Sequence, residues 1–264
     1  MQFYKNISLT FFISLIFNSV FSQEKTNLGA LITDRPDQTE SPSVVPKRYL
    51  QIETGSFYKN SGEKTLRKKT TTFNTTLLRY GLLNNLEIRA GWDFSETKTE
   101  INGVELDNTT SGLSPLLLGA KIGVTEEKGI LPEIGFLAHL YLPFTASTDF
   151  KPKTTGADFR FSFAHTLNKK SSLSYNLGAS WGDDSPETSY VYTLVYGYSI
   201  IDKLGIYAEL YGDFPENNRA NHLWDAGLTY LLSNSIQLDA TVGSGISKGQ
   251  NLLLSAGLSV RLPN

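Results

Sequence analysis

The sequence of 264 residues contains no cysteine, almost no net charge and only three histidines. Without cysteine the chain has no disulfide framework, no cysteine-ligated zinc site and no thiol for an amino-terminal lipid. The formal net charge of -2 lacks the basic excess typical of nucleic-acid-binding proteins, so we expect no nucleic acid partner. Aromatic residues make up 12% of the chain and glycine is frequent, a composition that suits a twisted all-β protein.

Long apolar runs are also missing, except near the amino terminus. Residues 7–21 are mostly apolar and follow a single positive charge at Lys5, a pattern typical of a secretory signal peptide. We predict a signal peptide at residues 1–22, with an uncleaved membrane anchor as the alternative. Beyond it, no apolar run approaches the roughly 20 residues that a membrane-spanning helix requires. If this chain crosses a membrane, it must do so with strands.

Residues 86–95 alternate between apolar and polar side chains. Leu86, Ile88 and Trp92 share one face, whereas Glu87 and Arg89 share the other. The same alternation, with varying clarity, marks residues 48–59, 70–81, 113–124, 130–142, 155–166, 172–182, 189–200, 203–213, 222–232, 235–245 and 251–262. Most of these segments reach the roughly 9–11 residues that a tilted transmembrane strand needs. The pattern predicts an all-β fold, a transmembrane antiparallel β-barrel of about 12 strands, with about 10 or 14 as alternatives.

The predicted connections alternate between short turns and longer polar loops. The longer ones are residues 60–69, 96–112 and 143–154. Alternation of this kind is typical of an outer-membrane barrel, which has short periplasmic turns and longer external loops. We therefore expect the cell outer membrane as the location, with membrane lipid and the outer-membrane assembly machinery as partners. Lipopolysaccharide is a further candidate partner, because Arg67, Lys68 and Lys69 fall in the first external loop and could meet its phosphates.

A soluble secreted β-sandwich is the main alternative fold. It would have no reason to alternate short and long connections, and twelve strands of membrane length would expose a continuous apolar face to water. The barrel interpretation avoids both difficulties, because lipid covers the apolar face and closure pairs every backbone group.

The stretch before the first strand, residues 33–46, reads TDRPDQTESPSVVP. Its three prolines exclude a helix or a central strand. DRPDQTESPSVVP, followed by QIETG at residues 51–55, resembles the opening of the meta-pathway phenol degradation family, outer-membrane barrels often labelled as transporters. The resemblance implies an outer-membrane channel or transporter for small solutes. It does not imply phenol chemistry.

Charged side chains on the predicted strands must point inward, because the opposite face meets lipid. We predict that the pore is lined by Glu53, Arg79, Glu87, Arg89, Asp93, Lys121, Glu133, His139, Asp158, Arg160, Glu209, Asp225, Asp239 and Arg261. Acidic residues outnumber basic ones in this set, which predicts a narrow pore with a mild preference for cations. The alternative is a structural barrel whose interior is plugged and conducts nothing.

The Pro-rich segment, residues 23–46, has three candidate roles. It could fold from the periplasmic mouth into the lumen as a plug or gate, with Asp34, Arg35, Asp37 and Glu40 as its contacts. It could instead remain a flexible linker or bind a periplasmic partner. Residues 47–264 would form the barrel in each case.

Catalytic and metal-binding signatures are weak. An outer-membrane lipid-modifying enzyme is the less favoured alternative function, and its base would have to be His139, His165 or His222. None of the three lies in a serine-histidine motif, and no GxSxG sequence is present. The acidic residues Asp183 and Asp184 lack the spacing of a calcium loop. We therefore predict no catalytic site, no cofactor and no metal.

Overall fold

The computed structural model describes residues 28–63, 65–182, 187–247 and 249–263. The signal peptide predicted at residues 1–22 and the acidic pair at 183–184 lie outside these ranges. Two short 3₁₀ helices, Pro143–Thr145 and Thr148–Phe150, are the helical elements in these ranges, and the remaining regular secondary structure is strand. The strands are β1 (Leu50–Glu63), β2 (Leu66–Leu83), β3 (Leu86–Ile101), β4 (Val104–Glu105), β5 (Thr110–Leu113), β6 (Leu116–Thr125), β7 (Glu133–Leu142), β8 (Gly156–Asn168), β9 (Ser171–Trp181), β10 (Thr188–Ile201), β11 (Leu204–Pro215), β12 (Asn221–Ser233), β13 (Ile236–Gly245) and β14 (Gln250–Leu262).

These strands close into a 12-stranded antiparallel barrel. The first strand pairs with the last, from Leu50 opposite Leu262 onwards, so the sheet has no open edge there. β5 and β6 both pair with β3 and act as one barrel strand, which Pro115 interrupts because proline cannot donate to the ladder. β4 is a short addition to β3. The predicted fold class and strand number are confirmed.

The two faces of the barrel differ as the period-two pattern predicts. The outer face carries exposed apolar side chains such as Leu194, Leu228 and Leu254. The inner face carries charged side chains that are almost fully buried, including Arg79 at 0% and Glu53 at 1% exposure. On β10 the tyrosines point outward. The sequence alone does not show which face of this strand meets lipid, because both faces could do so.

The sequence-based prediction of loops is wrong at two places. Residues 60–69 and 96–112 are largely strand, because β1, β2 and β3 continue past the barrel wall as paired ribbons. This region is rich in threonine, which favours strands, yet polar on both faces, because both faces meet water. It therefore lacks the apolar alternation that marks the membrane part. Arg67 and Lys69 lie in β2, not in a loop, and both pair with Glu100, at 3.8 Å and 3.0 Å.

The barrel has two distinct ends. We call the end with the tight connections 84–85, 126–132, 169–170, 202–203 and 234–235 the turn end, and the opposite end the loop end. Both the approach to β1 and the last residues of β14 lie at the turn end. Within the described residues, no helix is long and apolar enough to cross a membrane.

Candidate functional site

Residues 31–46, which we call the luminal segment, enter the barrel at the turn end and return to it. Leu31 donates its backbone N–H to the carbonyl of Asn234 in the β12–β13 turn, at 2.8 Å. On the return, the backbone N–H of Val45 donates to Glu87 on β3, also at 2.8 Å. Glycine makes the close approach possible: a Cβ at Gly135 would lie 2.7 Å from the carbonyl oxygen of Pro42. The segment is therefore packed against the inner wall.

The luminal segment divides the lumen into cavities at the two ends. Two loop-end cavities of about 520 and 890 Å³ lie on one side of it, and a turn-end cavity of about 490 Å³ lies on the other. Arg35, Pro36 and Asp37 line both the 520 Å³ cavity and the turn-end cavity. These three residues therefore form part of the partition between the two ends of the barrel.

One side of the lumen, which we call the cationic wall, carries Arg79 on β2, Arg89 on β3 and Lys121 on β6. All three bind the carboxylate of Asp34 in the luminal segment, at 3.0, 3.1 and 2.7 Å. Glu40 of the same segment adds ion pairs with Arg89 at 2.9 Å and Lys121 at 3.5 Å. Because all of these charges are taken out of water, each needs its partner.

The register of the barrel explains why Asp34 lies at this position. Arg79 and Arg89 are direct cross-strand partners, and like charges placed opposite each other repel. Asp34 bonds both guanidinium groups, and Glu53 and Glu87 each bond Arg79 at 2.8 Å. The cationic wall is thus neutralised by carboxylates of the same chain, and the luminal segment supplies the central one.

The opposite side, which we call the acidic wall, carries Glu209 on β11 and Asp225 on β12. The carboxylate of Glu209 accepts the backbone N–H of Gln38 at 2.8 Å and the hydroxyl of Thr39 at 2.5 Å. Neither carboxylate oxygen of Asp225 has a hydrogen-bond partner among the described residues. Here the luminal segment is held by hydrogen bonds alone.

Other contacts join the luminal segment to most of the remaining wall. Arg35 binds Asp239 at 2.9 Å, and its guanidinium lies over the ring of Phe57, 5.2 Å from the centroid. Arg160 donates to the carbonyl of Gln38 at 3.0 Å. Of the predicted pore-lining residues, those that hydrogen-bond or ion-pair with the segment are Glu53, Arg79, Glu87, Arg89, Lys121, Glu133, Arg160, Glu209 and Asp239.

The remaining pore-lining candidates occupy other places in the lumen. Asp93 lines the loop-end cavities, and Arg261 donates to the carbonyls of Gly29 and Asn234 at the turn end. His139 and Asp158 form a pair at 3.0 Å, and the hydroxyl of Tyr141 donates to the second oxygen of Asp158 at 2.6 Å.

None of the three histidine rings forms a nucleophile pair in the described part of the chain. Nε2 of His139 has no hydrogen-bond partner there. The ring of His222 bonds the hydroxyl of Tyr192 on the outer face, and that of His165 stacks on Tyr175. Across the described residues, no group of three or more histidine, aspartate or glutamate side chains could hold a metal ion.

Several contacts of the luminal segment involve residues that the sequence does not single out. The backbone N–H groups of Gln38 and Val45 donate to Glu209 and Glu87, and Thr39 is buried against Thr193 at 2.7 Å. Every residue except proline carries a backbone donor, so residue type alone cannot identify which ones bind. A short buried threonine within a polar segment carries no distinguishing pattern either.

Residues 33–262 match the family model described as "Putative MetA-pathway of phenol degradation". This chain belongs to that family. The match begins within the luminal segment and ends at the last residue of β14, so it covers both the segment and the barrel. No curated protein shows a significant match.

Solved structures with a similar fold include three β-barrels. An outer membrane channel from Pseudomonas putida F1 has a TM-score of 0.62 at 14% identity, covering 86% of this chain and 100% of the other. The KdgM porin in complex with disordered oligogalacturonate has a TM-score of 0.51 at 10% identity, covering 78% and 98%. The translocator domain of the autotransporter NalP from Neisseria meningitidis has a TM-score of 0.50 at 12% identity, covering 80% and 87%. At these identities the likeness concerns the fold.

Proposed function

We propose that this protein is an outer-membrane channel for small solutes and that its luminal segment is the gate. The observation that carries the proposal is the partition of a polar lumen by the luminal segment, with cavities on both sides of it. An apolar outer face and a closed strand ladder suit a lipid bilayer. In this proposal the turn end faces the periplasm, and residues 1–22 direct export.

The luminal segment could act as a gate because its contacts with the barrel wall differ in strength along its length. Asp34 binds three cations of the cationic wall, whereas Gln38 and Thr39 form only hydrogen bonds with the acidic wall. Buried ion pairs are costly to break one partner at a time, and single hydrogen bonds are less so. We therefore expect the acidic-wall side of the segment to open first while the cationic wall holds it in place.

A cysteine pair tests the gate directly, because the chain has no cysteine of its own. The hydroxyl oxygens of Thr39 and Thr193 are 2.7 Å apart, close enough for a disulfide after Thr39→Cys and Thr193→Cys. In planar bilayers, we expect the oxidised protein to conduct less than the reduced protein, with full recovery on reduction. The two single-cysteine variants are matched controls and should not respond to oxidant. Equal conductance before and after reduction of the double variant would show that this contact does not move.

Deletion of residues 24–45 is the complementary test. Removing the luminal segment joins the cavities, so we expect larger conductance steps than in the intact protein. Because the deletion also leaves Arg79, Arg89 and Lys121 without Asp34, folding must be checked first by the heat-dependent mobility shift of a barrel on gels. A folded deletion variant with unchanged conductance would indicate a linker instead of a gate.

A structural barrel that conducts nothing is the second candidate. The buried ion pairs of Asp34 favour it, because they would hold the plug permanently. If the intact protein, the reduced double-cysteine variant and the variant lacking residues 24–45 all conduct no ions in the bilayer, this alternative is established.

A further inference from the structure

The acidic wall contains a charge arrangement that the chain itself does not neutralise. Glu209 and Asp225 are direct cross-strand partners on the inner face, and their residues are 2% and 1% exposed. Two carboxylates in opposite positions of an antiparallel pair repel each other. A positive charge or a proton must compensate this cluster of two carboxylates.

The described chain offers no cationic partner to the cluster. Arg35 is the only basic residue of the luminal segment, and its guanidinium is bound to Asp239. Glu209 accepts its hydrogen bonds from the segment through the uncharged donors of Gln38 and Thr39. Both oxygens of Asp225 lack a hydrogen-bond partner there, although carboxylates buried in proteins are normally paired. The compensating positive charge, a cation or a proton, therefore comes from solution.

The cluster lies between the cavities of the two ends. Along the inner face of β11, Tyr207 lines the turn-end cavity and Tyr211 lines the 890 Å³ loop-end cavity. Glu209 is the inward residue between them. The luminal segment covers this position with Gln38 and Thr39. A solute that moves between the cavities along this wall must pass the carboxylates.

We propose that Glu209 and Asp225 form a binding site for solutes that carry one compact positive charge, either an alkali metal ion or a primary ammonium group. The inference rests on the proposed channel function and names the class of solute that the channel selects. Carboxylate oxygens are the preferred ligands of hard cations, and they accept charge-assisted hydrogen bonds from ammonium groups. The site holds its cation weakly and in transit, which is what permeation requires.

The first experiment measures ion preference. With a KCl gradient across a planar bilayer, we expect the reversal potential of the wild type to report a preference for K⁺ over Cl⁻. Asp225→Asn and Glu209→Gln should each reduce that permeability ratio several-fold. Asp213→Asn is the matched control. Asp213 lies on β11, the strand of Glu209, but its carboxylate accepts hydrogen bonds from Ser189 and Asn221. It should leave the ratio close to the wild-type value.

Replacing KCl with methylammonium chloride distinguishes the two sources of charge. A preference for cations in both salts shows a site for any compact positive charge, and a preference in one salt alone assigns the site to that ion. An equal loss of preference in Asp213→Asn and Asp225→Asn would mean that general lumen charge, not this site, selects the ions, and would overturn the proposal.

The second experiment does not depend on conduction. A cation that binds the folded protein raises its unfolding temperature by mass action. We expect the refolded wild type in detergent to melt at a higher temperature in KCl or methylammonium chloride than in N-methylglucamine chloride at equal ionic strength. Asp225→Asn should lose this difference and Asp213→Asn should keep it.

The two experiments separate the failure of the site from the failure of the channel. If no variant conducts, the channel function is wrong, but a cation-dependent melting temperature that requires Asp225 still supports the site. If the wild type conducts and neither the permeability ratio nor the melting temperature responds to Asp225→Asn, the carboxylates share a proton and no cation binds.

Discussion

The two walls of the lumen solve the same electrostatic problem in different ways. Each places two like charges in direct cross-strand positions, Arg79 with Arg89 on the cationic wall and Glu209 with Asp225 on the acidic wall. On the cationic wall, Asp34 lies between the pair and binds both members. On the acidic wall, the described chain places no cation between the carboxylates.

The difference extends to two acidic residues of the luminal segment that are three positions apart. Burial and the carboxylates of Glu209, Asp225 and Asp34 raise the pKa of Asp37 well above its ordinary value. Burial acts in the same direction on Glu40, but Arg89 and Lys121 outweigh it and hold the pKa of that carboxyl well below its ordinary value. Both residues precede the membrane-spanning strands. Position in the lumen, not residue type, decides the direction in which each pKa is shifted.

The comparison shows which interactions of the barrel depend on its surroundings. Charges of the cationic wall are balanced within the chain, so they should respond little to the composition of the solution. Charges of the acidic wall are balanced from outside, so cations and protons should control them. A gate needs both kinds of attachment, one to keep the segment in the lumen and one to release it.

The largest expected effect comes from removing the charge that balances the cationic wall. Asp34→Asn leaves Arg79, Arg89 and Lys121 buried without their common partner, and we expect the free energy of unfolding to fall by about 3–5 kcal/mol. Denaturant unfolding of the refolded protein in detergent, followed by tryptophan fluorescence, measures the change.

Glu100→Gln is the control for that measurement. It also removes a paired carboxylate, bonded to Lys69 at 3.0 Å, but from a half-buried position in the ribbon beyond the barrel wall. Ion pairs at the protein surface that keep contact with water contribute little, so its unfolding should be close to that of the wild type. If Asp34→Asn were no more destabilising than Glu100→Gln, the balanced network of the cationic wall would have no structural role.

A smaller effect is expected from the hydrogen bond that ties the luminal segment to the acidic wall. Thr39→Val keeps the shape of the side chain but removes the hydroxyl that donates to Glu209, so we expect a loss of about 1–3 kcal/mol in the free energy of unfolding. The same variant should open more often in bilayer recordings. Thr54→Val, which removes an exposed hydroxyl bonded to Asn74 at 3.3 Å, is the matched control and should change neither.

The smallest expected effect is a change in pH dependence. The unfolded chain loses the Asp37 proton near the ordinary carboxyl pKa of about 4, whereas the folded protein keeps it to higher pH. The folded state therefore binds more protons in this window, and the free energy of unfolding falls as the pH rises through it. Glu40 is ionised in both states above that pH and adds no slope.

Asp37→Asn tests this assignment. The amide cannot ionise, so the decline in unfolding free energy with rising pH should be shallower in the variant than in the wild type. The groups that face Asp37 are Asp34 of the luminal segment, Glu209 and Tyr207 of β11 and Asp225 of β12, and all of them remain in the variant. Identical pH profiles for the two proteins would contradict a proton held by Asp37.

Most of the barrel could be predicted from the sequence because its physical cause is local. A strand with lipid on one side and a polar lumen on the other must alternate, as Leu86, Glu87 and Ile88 do, and the alternation reveals both the strand and its faces. The prediction fails at residues 60–69 and 96–112, where water lies on both sides and no alternation is required. β10 is ambiguous in sequence for a related reason, since tyrosine suits either face.

The candidate site could be predicted only as a set of residue types. Inward-pointing charges such as Arg79 and Glu209 follow from the alternation, and Asp34 stands out by its charge. The partners of these residues cannot be predicted from the sequence. Asp34 and Lys121, for example, are 87 positions apart and meet only when the barrel closes. Gln38 contributes a backbone donor, which residue type cannot reveal.

The sequence by itself determined the all-β barrel, its strand number, the direction in which each charged strand residue points and the family to which the chain belongs, because each of these depends on local pattern. Only the tertiary structure decided where the luminal segment lies, that Asp34 is shared by three cations and that Asp225 has no partner. Those contacts depend on strand register and on the path of a non-repeating segment through the closed barrel. Both are properties of the whole fold, so no local stretch of sequence encodes them.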